Sequence, residues 1–370
     1  MVSRHFDSIV VGGGLVGSAV ACGLARHGEV AVLDGSDFDF RASRGNFGLV
    51  WVQGKGADFA EYARLSDVSA RAWPVFADTL RQSTGIDVEL QQTGGYDFCL
   101  DEAEFQAREC EMKSVQQHRG GTFNYQMLDN QELRHRIPEV SKSVLGASFS
   151  SEDGHVNPLY LLNALQRMLQ LSGGYYLPHQ KVEKSVAQEQ GFRLQTRTDS
   201  FECNRVVFCA GLDNQRLARE LGMHVPVSPL RGQLLITERV KPFLPCATLQ
   251  VRQTADNTLQ IGDSHENVGL DDSTTIDVIS ALASRAVRIF PHLGQFRLNR
   301  AWGALRIMTP DGIPVYHRSS RYPAAFAVSC HSGVTLAAFH ATGLADWICG
   351  QATPPGIQQF SADRFDVQAA

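Results

Sequence analysis

Apolar positions along the chain come in short runs closed by glycine or polar residues, not in long unbroken stretches. The first run, Ser8-Ile9-Val10-Val11, is β-branched and reads as a buried strand, and Gly12-Gly13-Gly14-Leu15-Val16-Gly17 follows it without a gap. Residues 18–27 are small or helix-compatible, and Gly28 stands where a helix C-cap belongs. Val30-Ala31-Val32-Leu33 then reads as a second buried strand ending at Asp34. The pattern predicts a βαβ unit. Further on, helices are expected over 159–171 and 336–349, while 230–237 and 259–262 read as strands. The stretch 9–25 carries no charge, but its five glycines and its shortfall from about 18 apolar residues favour a strand and turn over a membrane span.

Length and composition set the frame. A chain of 370 residues suggests two domains, which can be interleaved, and 43% apolar with 20% charged residues indicates a soluble globular protein. The 34 Lys and Arg against 39 Asp and Glu leave a formal charge of −5 with no basic block, so nucleic acid is not an expected partner. Eight cysteines are scattered with no close pair, which reads as reduced and mostly buried thiols and gives no metal or iron–sulfur ligand set.

The glycine motif carries the first chemistry. Gly12 permits a tight turn, Gly14 lets backbone approach a pyrophosphate, and Gly17 lets the helix pack closely on the strand. Phosphates then meet a helix N-terminus, and Asp34, placed at the end of the second strand, can accept from a ribose 2′-hydroxyl. An acid there repels a 2′-phosphate, so NADP is disfavoured and FAD and NAD remain.

The rest of the chain separates them by resemblance. Arg41-Ala42-Ser43-Arg44-Gly45-Asn46-Phe47-Gly48-Leu49 is similar to the segment beside the flavin in the glycine oxidase / sarcosine oxidase / D-amino acid oxidase superfamily. His155-Val156-Asn157-Pro158, Lys181-Val182-Glu183-Lys184, Val206-Val207-Phe208-Cys209-Ala210-Gly211 and Pro229-Leu230-Arg231-Gly232-Gln233 resemble further blocks of that superfamily in the same order. So do the stretch from Trp302 to Pro314 and Ser329-Cys330-His331-Ser332-Gly333-Val334-Thr335, so the resemblance covers nearly the whole chain. Residues 46–51 with 330–335 most resemble the FAD-carrying β subunits of bacterial opine oxidases and related hydroxyproline or proline dehydrogenases. Thr335 departs from the simple oxidases, which usually place a second glycine there.

The resemblance implies an α/β fold: a Rossmann-like FAD-binding domain (1–82, 150–222 and 303–370) interleaved with an α+β substrate domain (83–149 and 223–302) containing a mainly antiparallel sheet. It implies noncovalent FAD, since Ala304 stands where sarcosine oxidases carry a linking cysteine. It further implies oxidation of an amino acid or secondary amine by hydride transfer to flavin N5, giving an imine that hydrolyses. A cytoplasmic hetero-oligomer is expected, with FMN and iron–sulfur centres on or shared with partner subunits, peripheral to the inner membrane if it feeds the respiratory chain. The alternatives are a stand-alone oxidase using oxygen and a mainly structural electron-transfer subunit. Cofactor contacts are expected from Gly12, Gly14, Leu15, Val16, Gly17, Asp34, Ser43, Arg44, Asn46, Phe47, Gly48, Leu49 and Val182, and from Ala210, Gly211, Arg306, Ser332, Gly333, Val334 and Thr335. Arg306 is the expected carboxylate anchor, because a guanidinium grips a carboxylate with two parallel hydrogen bonds. His265 and His331 are catalytic candidates, and Trp51, Lys55, Tyr96, Arg252 and Trp302 are pocket candidates.

Overall fold

The computed structural model describes residues 4–35 and 42–369, the side chains of 367–369 excepted; Arg41, at the head of the flavin-side segment, lies outside them. The strand Arg4–Val11 forms the middle of an eight-stranded sheet. It pairs in parallel with Val30–Leu33 on one side and Ser200–Phe208 on the other. Tyr175–Leu177 extends the sheet beyond Val30–Leu33, and Ala325–Ser329 with Val315–Arg318 extends it beyond Ser200–Phe208. A hairpin, Val182–Ala187 with Phe192–Thr196, joins Ser200–Phe208 antiparallel. The inner strands read as continuous apolar runs because both their faces are covered.

The first helix spans Leu15–Leu24, starting three residues before the expected 18–27, because the last half of the glycine motif is already helical. Its C-cap is Ala25; Gly28 is not a cap, and its φ of 154° instead fits a site where a Cβ would meet the Asp7 carboxylate at 2.5 Å. Helix 159–171 appears as Pro158–Leu171, capped by the Asn157 side chain. The expected helix 336–349 is broken into Ala337–Phe339, a π-helical turn His340–Leu344, and Ala345–Ile348. Two local bonds accompany that wider turn: Thr342 Oγ1 donates to Ala338 O, and His340 Nε2 pairs with the Tyr316 hydroxyl at 2.9 Å.

Two smaller sheets complete the architecture. Ser228–Arg239 runs antiparallel to Leu298–Met308 along most of its length and to Thr258–Ile261, which pairs with Val251–Gln253. Helix Ile276–Ile289 buries Leu282, Ala286 and Ile289 in a core that this sheet shares with Gly95–Cys99 and its partners Gly146–Ser150, Tyr125–Asp129 and Ala247–Thr248. The fold is therefore α/β, a mostly parallel covered sheet beside mainly antiparallel ones. Among the described residues no helix is long and apolar enough to cross a membrane, and all eight cysteines are free thiols, six of them buried.

Candidate active site

The glycine motif opens a channel between strand ends. Gly12 has φ 102°, and a Cβ there would lie 2.4 Å from Cys209 O, while one on Gly17 would lie 1.9 Å from Gly12 O. Only glycine lets the turn, the end of Ser200–Phe208 and the helix close on each other. The helix has Gly14 as its N-cap and no acid in its first turn, and although Ser43 Oγ accepts from Leu15 N at 2.9 Å, the positive end of the helix favours an anion. Asp34, buried at 6% exposure, accepts from Gly13 N at 3.3 Å and from the Tyr176 hydroxyl, which fixes its carboxylate in the channel wall. These features fit a dinucleotide: a glycine-rich helix start for the pyrophosphate and an oriented acid for a ribose.

Most of the expected cofactor contacts meet in this channel. Gly12, Gly14, Leu15, Val16, Asp34, Ser43, Asn46, Val182, Ala210, Gly211, Gly333 and Val334 line it, with Gly17 packed behind. A second cavity of about 480 Å³ adjoins it, within the range of small-molecule sites. The two share Ala42, Asn46, Ile307, Cys330, His331 and Val334, so one wall serves both. Phe47, Gly48, Leu49, Trp51, Lys55, His265, Arg306, Ser332 and Thr335 line the second cavity. Arg44 sits in the 3₁₀ turn Ala42–Arg44, outside both walls.

Three expected pocket residues are placed elsewhere. Tyr96 is buried in an aromatic cluster, 5.9 Å from the Phe98 ring and 4.8 Å from that of Phe149. Arg252 is a structural clamp: its guanidinium donates to Gln260 Oε1 and Val156 O and pairs with His155 Nδ1. Trp302 lies beyond the Ala304 wall, its Nε1 buried without a partner among the described residues. Strand alternation sends it to the same face as Ala304 and Arg306, but only the latter two reach the cavity.

Arg306 lies flat over Gly232, where a Cβ would come 2.6 Å from Nη1. Its Nη1 donates to Ser264 O at 2.6 Å, and Nη2 stays 4.0 Å from Asp263. Burial lowers its pKa, with Asp263 and Glu266 opposing the shift. Burial also pulls Lys55 below its ordinary value, and Lys55 makes no ion pair among the described residues. His331 is held well below its ordinary value, first by burial and then by Lys55 and Arg306; Ser332 Oγ links its Nδ1 to the Tyr62 hydroxyl. His265 is lowered by burial, with Asp263, 3.6 Å away, pulling the other way.

Part of the wall of this cavity, at Gln53, Arg108 and Glu111, belongs to a network with no local sequence signal. Gln53 Oε1 accepts from Arg108 Nη2 at 3.0 Å and from Ser148 Oγ at 2.5 Å, and Arg108 pairs with Asp97 and Glu111. Asp153 accepts from Val52 N and Gln53 Nε2, and burial pushes its carboxyl up to about 7. Asp263 was also missed, although it follows directly on the predicted strand before His265.

Comparison with known proteins identifies the family. The chain is similar to an opine oxidase subunit of Agrobacterium tumefaciens (strain Ach5) and to its namesake in Rhizobium meliloti, 43% identical to each over 366 residues, 98% of this chain and 99% of each relative. Its fold matches the crystal structure of glycine oxidase from Geobacillus kaustophilus with TM-score 0.89 at 24% identity, covering 97% of this chain and 98% of that one. Across residues 7–347 it matches the DAO model, and the chain belongs to that family of FAD-dependent oxidoreductases.

Proposed function

We propose that this oxidoreductase oxidises the carbon beside the nitrogen of an amino acid or secondary amine, an opine or D-hydroxyproline in particular, as the FAD-carrying catalytic subunit of a dehydrogenase complex. The observation that carries the reading is Arg306, a largely buried guanidinium in the wall of a cavity that shares residues with the cofactor channel. A carboxylate held there leaves the adjacent α-carbon beside the shared wall. Lys55, a second cation in the same cavity, favours a substrate with a further carboxylate, as opines have.

Bound FAD supplies a two-electron acceptor for the substrate's C–H bond. Asp34 would hold the ribose, residues 12–16 the pyrophosphate, and Val182, Ala210 and Gly211 the neighbouring wall. Attachment is noncovalent in this reading: Ala304 offers no nucleophile, and burial pushes the Cys330 thiol up to about 12, far from thiolate. His331 and His265, both favoured neutral by burial, would act through hydrogen bonds rather than as cations. The cofactor domain comprises 1–82, 150–222 and 303–370, and the substrate domain 83–149 and 223–302. FMN and iron–sulfur centres are on or shared with partner subunits, and the complex is cytoplasmic, peripheral to the inner membrane if it feeds the respiratory chain.

The test is anaerobic flavin bleaching with sarcosine, glycine, D-hydroxyproline, octopine and nopaline, followed by Arg306→Ala. The variant should raise KM for carboxylate substrates by about 100-fold while changing that of decarboxylated amines little. Equal effects on both classes would remove Arg306 as anchor, and no bleaching by any compound would remove the reading.

A further inference from the structure

We infer that Asp263 is the substrate-nitrogen recognition residue of this site, accepting from the substrate N–H and stabilising the positive charge that forms on nitrogen; the inference rests on the amine-oxidation reading above. Among the described residues two acids line the second cavity, Asp263 and Glu111, and Glu111 is already held by Arg108 at 2.6 Å. The Asp263 carboxylate accepts no hydrogen bond among the described residues; its neighbours Arg306 Nη2 at 4.0 Å and His265 Nε2 at 3.6 Å are beyond bonding distance. Among the described residues it is the carboxylate of this cavity that no hydrogen bond occupies.

Its position relative to Arg306 matches the chemistry of the ligand. The carboxylate and nitrogen of an α-amino acid are one carbon apart, so the groups that bind them must be neighbours, as Arg306 and Asp263 are. Oxidation breaks the C–H bond with its electron pair leaving toward the cofactor, and the nitrogen lone pair forms the C=N bond. Nitrogen becomes cationic in that step. In a wall containing Lys55 and Arg306 this charge would be opposed, and the Asp263 carboxylate is the group placed to offset it.

The backbone adds a second, independent observation. Asp263 has φ 82°, a left-handed conformation that costs a non-glycine residue on the order of 1 kcal/mol. A glycine would adopt it freely, so the carboxylate stands there at a small backbone cost.

The same feature makes the test clean. Asp263→Gly relieves the backbone and removes the carboxylate, and Asp263→Asn keeps the shape without the charge. In the FAD-loaded enzyme, both should slow anaerobic flavin reduction by the substrate found in the bleaching panel by about 100-fold. Both should bind methoxyacetate and tetrahydrofuran-2-carboxylate, the oxygen analogues of sarcosine and proline, within about twofold of the unmodified protein by calorimetry. Unchanged reduction rates in the variants would overturn the inference alone, as would equal loss of affinity for the oxygen analogues. Failure of the unmodified enzyme to be reduced by any amine would overturn the functional reading and this inference together.

Discussion

Asp153 has no exposed surface, and burial is what lifts its carboxyl to about 7. Between its ordinary value and 7 the folded protein keeps a proton that the unfolded chain has released, so the contribution of this group to stability falls as pH rises through that window. Asp153→Asn should flatten the slope, and the difference in unfolding free energy between the two proteins should change by on the order of 4 kcal/mol from pH 4 to 7. Parallel stability curves from denaturant titrations would count against it. The residues hardest to read from sequence were of this kind. Asp34 and the glycines announce themselves because their chemistry is local, whereas Gln53, Arg108, Ser148 and Asp153 come from separate segments and have meaning only once folded. Tyr96, Arg252 and Trp302 illustrate the opposite error: aromatic and cationic side chains suited to a pocket turned out to serve a core, a clamp and the layer behind a wall.

Elements were legible where pattern and packing agree. Val30–Leu33 has the bounds its apolar run gave, and Ser228–Arg239 extends the expected 230–237 at its start by pairing with Leu298–Met308 and at its end by pairing Arg239 with Thr258. The first helix was misplaced at both ends, because glycines that favour turns are here required by close contact. That contact sets a prediction. Gly17→Ala places a methyl 1.9 Å from a backbone oxygen, so it should cost at least about 2 kcal/mol and release the cofactor. Gly85→Ala meets nothing within 4 Å, and its φ of 75° alone should cost about 1 kcal/mol. Thermal melts with flavin fluorescence separate the two; equal losses would mean that packing at Gly17 is looser than described.

For the molecule as a whole, the eight cysteines report on integrity. Cys110 is exposed, Cys349 partly covered and the other six buried; burial pushes Cys22, Cys99, Cys203 and Cys246 up to about 12. A thiol reagent should label one site quickly in the native protein, a second more slowly, and six only on unfolding, as counted by intact mass. Rapid labelling of three or more would contradict this core.

The central sheet also dictates how the chain can be made. Arg4–Val11 needs, along one edge, a partner that begins at Ser200, and that partner in turn pairs with Ala325–Ser329. Until Ser200–Phe208 has been synthesised, an apolar strand waits with an open edge, exposed to wrong pairing with other nascent chains. Slow translation or too little chaperone would therefore lower the yield of this protein more than its stability once folded would suggest.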